Sequence, residues 1–211
     1  MTDIYLELGK KRIFACAYDW PGWCRSGRDE ASALETLAAY LPRYLPVVKE
    51  AGLRPPNAQL DVVDRVKGSM NTDFGVPHEI APRDRERLTP ASARRLAGLV
   101  RASWTVFDRV VAGAPAELRK GPRGGGRDRD KMVLHVYGGE SAYASRTGVR
   151  LRQPELGDTA AVKAFREALS DALEHPVPEA KWPVPYAARR IAWHVLDHAW
   201  EIEDRSTLDR A

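Results

Sequence analysis

The chain is poor in sulfur: its 211 residues include two cysteines and three methionines. Cys16 and Cys24 show no CxxC spacing, so the sequence specifies neither a disulfide framework nor a cysteine-based zinc cluster. They read as reduced structural thiols of a cytoplasmic protein. No stretch approaches the ~20 apolar residues needed to cross a bilayer, so a membrane is not an expected partner. The N-terminal run Met1 to Glu7 has no basic lead and no apolar core, and does not read as a secretory signal. GxSxG, GxxxxGK[ST] and the dinucleotide fingerprint are all missing, which removes the sequence basis for a serine hydrolase, a P-loop enzyme or a Rossmann fold.

A large charge excess is missing as well. Thirty-three basic and 29 acidic residues leave a net charge of +4. The segment 119–131 carries six basic and two acidic residues, so this one loop equals the whole excess. A protein that coats nucleic acid spreads positive charge over a face, so nucleic acid is not expected as a partner. The Gly-rich loop reads either as a solvated connection or as a flap. As a flap, its Arg123, Arg127 and Lys131 would meet a small anionic substrate.

The patterning predicts an α+β protein. Residues 1–70 read as a small β-β-β-α-β unit. Ile4, Leu6 and Leu8 alternate with polar positions, Arg12 to Asp19 forms a second β run, and Trp23 to Ser26 a third. Asp29 is a helix cap for about 30–50, with Pro42 and Pro46 arguing for a kink or break. Gln59 to Val66 alternates again. Residues 71–88 read as a linker. Residues 89–211 read as a four-helix bundle, opened by Thr89-Pro90 as cap and first helical residue, with helices near 90–113, 130–146, 159–173 and 186–205.

His194 and His198 stand four apart in the last helix, where both rings project from one face and can share a metal ion. Glu201 follows on the same stripe, which is also the apolar one through Ile191, Val195 and Ile202. His135, in the second of these helices, would complete three nitrogen ligands with room for an open position. Gly138 and Gly139 follow it, at about 1 kcal/mol each relative to alanine inside a helix, and permit close approach of a neighbour. The competing reading is a set of core histidines bonded to other side chains.

The run His135-Val136-Tyr137-Gly138-Gly139-Glu140, followed by a late HxxxH helix, resembles the DinB-like superfamily of metal-binding four-helix bundles over about 89–205. The resemblance implies one divalent metal, zinc or nickel, on His135, His194 and His198. It also implies chemistry with a low-molecular-weight thiol, since the family includes thiol-dependent isomerases and S-transferases. Glu201 falls where many members have glutamine, and the stretch from His135 to His194 is shorter than usual. The N-terminal unit is similar, more loosely, to the HicB-like fold through Asp19-Trp20-Pro21-Gly22-Trp23 and Gly27-Arg28-Asp29-Glu30-Ala31. Those residues are turn and cap chemistry, and no antitoxin role is carried over.

Two functions are therefore expected in competition. One is a metal-dependent hydrolase, thiol transferase or isomerase acting on a small anionic substrate, with Glu201 as base or as partner to a ligand imidazole. The other is a binding module whose HicB-like unit docks a protein or nucleic acid, with the bundle as scaffold. The oligomeric state stays open, a homodimer included.

Overall fold

In the computed structural model, which describes residues 1–121 and 125–206, the chain is α+β, with four strands and seven α-helices among those residues. Strands β1 (Thr2–Leu8), β2 (Ile13–Ala17), β3 (Cys24–Gly27) and β4 (Leu60–Lys67) form one mixed sheet in the order β3-β2-β1-β4. β1 runs antiparallel to β2 and parallel to β4. A parallel neighbour needs a crossover. Helices α1 (Glu30–Ala39) and α2 (Leu41–Glu50) lie in the connection that provides it. Asp29 caps α1, its carboxylate accepting from the Ser32 N–H at 2.8 Å. The break expected near Pro42 falls at Tyr40, because Pro42 has no N–H to give and fits the first turn of α2.

Register alternation gives the sheet two apolar faces. Ile4, Leu6, Ala15 and Ala17 pack with Leu37, Tyr44 and Val47 of the first helices, and also with Leu99 of helix α4 (Pro90–Gly113) and Leu196 and Trp200 of helix α7 (Val184–Ser206). Tyr5, Phe14 and Cys16 face the other way, onto Trp193 of α7. Both cysteines are buried free thiols.

The expected linker holds a one-turn helix α3 (Met70–Asp73) and a 3-10 turn (Pro82–Arg85). The buried Glu7 carboxylate accepts from the backbone N–H groups of His78 and Glu79 at 3.0 Å. Asp84 meets the Arg189 guanidinium at 2.6 Å, both fully or nearly buried. The segment is thereby tied to the sheet at one end and to α7 at the other.

Helices α4 (Pro90–Gly113), α5 (Arg129–Ala144), α6 (Thr159–Glu174) and α7 (Val184–Ser206) follow. Thr89 caps α4 by accepting from the Ser92 N–H. Apolar side chains of all four meet in one core: Leu96, Val100, Trp104 and Phe107 from α4, Met132 and Val136 from α5, Phe165 and Leu169 from α6, and Ile191 and Val195 from α7. Burying a leucine-sized side chain is worth roughly 1.5–3 kcal/mol, so these stripes dominate the packing. α7 touches both the sheet and the other long helices, and it carries the HxxxH pair. Among the described residues no helix is long and apolar enough to cross a membrane.

Candidate metal centre

α5 and α7 pack side by side, and the three histidines meet at their seam. His135, His194 and His198 each offer a ring nitrogen, and these atoms all lie within 4.8 Å of one another. His194 Nε2 and His135 Nε2 are 3.3 Å apart. Ring centroids are 4.8–5.1 Å apart, with the rings steeply inclined to one another.

The local sequence explains how the rings fit. A Cβ built on Gly139 would lie 2.4 Å from His194 Cε1, closer than real Cβ atoms come. The seam closes only because α5 has no side chain there, so the second glycine after His135 makes room for the ring of His194. Gly138 has no such role, since its added Cβ would meet the flexible end of Gln153 at 3.3 Å.

Burial and neighbouring charge disfavour protonation of His194 and His135, as metal ligation requires. Burial, followed by the charges of His198, His135, Arg190 and Arg127, pushes His194 down to about 2. Burial and then His198 and Arg127 lower His135, with Glu201 opposing. His198 is held differently: its Nδ1 lies 3.1 Å from Glu201 Oε2. That contact leaves Nε2 as the ring nitrogen available to a metal. The other Glu201 oxygen meets Arg205 at 2.8 Å. The His198 bond and then Arg205 hold Glu201 below its ordinary range, so it stands as a carboxylate.

The donor set could hold a metal ion. Two nitrogens bound at ~2.0–2.1 Å to a tetrahedral centre stand roughly 3.3–3.4 Å apart, the separation seen between His135 and His194. A histidine oriented by a carboxylate through its other nitrogen is the usual support for a ligand. His194 Nδ1 is buried with no hydrogen-bond partner among the described residues, so this ring is held by packing and not by a carboxylate.

The other anticipated site residues are placed less closely. Arg127 is exposed, and its charge acts on His135 and His194. Lys131 is exposed in the first turn of α5, and its charge acts on Asp128. Arg123 lies outside the described residues. Trp193 and Trp200 pack into the two apolar clusters on opposite faces of the sheet, and the Trp193 ring also lies 6.4 Å from that of His194. His78 and His175 are exposed in loops.

A groove of about 770 Å³ opens between α4 and α6, lined by Trp104, Tyr137, Val162 and Arg166. Tyr137 is about 200° around α5 from His135, so the groove and the histidines lie on opposite sides of that helix. Beneath it Glu140 is buried, accepts from Trp104 Nε1, and is raised to about 7 by burial. The groove has volume, whereas the seam has the convergent ligand chemistry.

Sequence reasoning missed Arg190 and Tyr143, which adjoin His194. Arginine on an amphipathic helix ordinarily reads as surface, and nothing in spacing marks this one as buried. Comparison with protein-family models, with curated proteins and with solved structures returned no match.

Proposed function

We propose that the chain is a metal-dependent enzyme in which His135, His194 and His198 hold one divalent cation, zinc or nickel. In this reading α4 to α7 form a DinB-like four-helix bundle and the protein is cytoplasmic. The observation that carries it is the convergence of three imidazole nitrogens within 4.8 Å on two helices. Three protein ligands leave a position open, and a cation bound there would supply Lewis-acid activation of water or a small thiol.

The protein's own groups divide the remaining work. Glu201 is a positioning residue: both its oxygens are engaged and its proton affinity is low, which suits orienting His198 better than abstracting a proton. Arg127 supplies positive charge over the seam, favouring a small anionic substrate. The reaction class is hydrolysis, thiol transfer or isomerisation.

The test compares the untagged parent with His194→Gln by elemental analysis and thermal melting. The parent should retain about one metal per chain. The variant should lose it while still folding, because the apolar stripes supply most of the burial energy. Unchanged metal content with a clear drop in melting temperature would make His194 a core residue and remove the enzyme reading.

A further inference from the structure

Arg190 lies one helical turn before His194 on α7, and 95 % of its surface is buried. Among the described residues no carboxylate stands within ion-pair distance of it, whereas its neighbour Arg189 is paired with Asp84. Among the described residues its one hydrogen bond runs from Nη2 to the Tyr143 hydroxyl at 2.9 Å, and its Nε and Nη1 have no partner there. The guanidinium stacks between Tyr143 and Trp193, at 5.1 and 4.9 Å from their ring centres. The indole N–H of Trp193 is also buried and unpartnered.

A buried cation without a counter-ion is costly, and a water can satisfy its N–H groups without neutralising its charge. We infer that Arg190 is the anchor for a carboxylate of the substrate, held beside the three histidines. The inference rests on the proposed metal-dependent activity for its role and names that activity's substrate class, a small carboxylic acid.

The placement supports this. The Tyr143 ring lies 5.6 Å from that of His194, so the hydroxyl that covers Arg190 borders the seam. Tyr143 is only half-buried, at the last turn of α5. Rotation of its side chain uncovers Nη2. A planar carboxylate can then take Nη2 together with either unpartnered nitrogen in the paired geometry that guanidinium favours. One uncompensated positive charge matches one carboxylate.

The experiment titrates acetate and, separately, inorganic phosphate into the full chain by calorimetry, metal-free and zinc-loaded, in chloride-free buffer. Zinc content is measured on the same samples. The parent should bind acetate saturably at one site and in preference to phosphate. Arg190→Gln should weaken acetate at least tenfold and melt no lower than the parent, since it removes an unpaired buried charge. Tyr143→Phe should tighten acetate a few-fold by removing the competing hydroxyl.

Absence of saturable acetate binding to the parent overturns the inference, as does parent-like binding by Arg190→Gln. Arg190-dependent binding that prefers phosphate overturns the carboxylate assignment. If Arg190→Gln does not fold, Tyr143→Phe decides, and an unchanged affinity there overturns displacement of the hydroxyl. Acetate binding without zinc retention sinks the metal reading and leaves the anion site. Zinc retention without acetate binding does the reverse.

Discussion

Replacing Gly139 by alanine separates two effects that act in opposite directions. Alanine inside a helix is favoured over glycine by about 1 kcal/mol, so on propensity alone the variant would be more stable. The added methyl group would, however, lie 2.4 Å from His194 Cε1 and 2.8 Å from its Nδ1. Restoring ordinary contact requires the ring to retreat by roughly 1 Å, and overpacking of this kind costs about 1–3 kcal/mol. The net stability change should therefore be small, between about zero and a loss of 2 kcal/mol. Metal ligation tolerates only ~0.2 Å, so a ring displaced by 1 Å ceases to be a ligand. Zinc affinity should fall on the order of 100-fold or more, beyond the 10–100-fold typical of losing an outer partner. Gly138→Ala is the control: its methyl meets only the end of Gln153, so it should gain stability and keep its affinity. Competition titration against a zinc chelator, with melting curves on the same samples, measures both quantities. Parent-like zinc affinity in Gly139→Ala would refute the reasoning.

Glu201→Ala should weaken zinc about 10–100-fold by freeing the His198 ring, read by the same titration, and an unchanged affinity would deny Glu201 its positioning role. Asp84→Ala should cost about 3–5 kcal/mol in denaturant melts, because it strands the buried Arg189 charge. Two of the groups that set the acid sensitivity of the metal-free protein act in opposite directions. His194 stays neutral in the fold down to about 2, so its contribution is present above the unfolded value near pH 6.5 and is lost as pH falls below it, about 2 kcal/mol between pH 7 and pH 5. Glu140, raised to about 7, contributes below its unfolded value, and that contribution is lost as pH rises toward 7. Glu140→Gln removes the second part, so its melting temperature should be about 4–8 °C lower at pH 5 than at pH 7; a flat profile would contradict a buried neutral His194.

Local chemistry made much of this fold legible. The alternation of Ile4 and Leu6 marked β1, and Asp29 and Thr89 marked the starts of α1 and α4 by the capping bonds they make. The i, i+4 histidines marked the face of α7 that meets His135, and the Gly138-Gly139 pair signalled a close approach without saying by what. The parallel pairing of β1 with β4 was hidden, because it joins segments more than fifty residues apart and leaves no local trace. Pro46 argued for a break, yet α2 continues through it, held by the buried Tyr44, Val47 and Val48. Arg190 was hidden for the opposite reason. Its residue type predicts exposure, and only the packing of Tyr143 and Trp193 around it reveals a buried, unpaired charge.

The central claim is that three histidines on two helices form one metal centre, and X-ray absorption at the zinc edge tests it most directly. On the zinc-loaded, untagged chain it should report three imidazole nitrogens at ~2.0–2.1 Å and one non-imidazole ligand, with one imidazole lost in His198→Ala. A chain that releases zinc on dialysis, or a spectrum of oxygen ligands unchanged by that substitution, would contradict it.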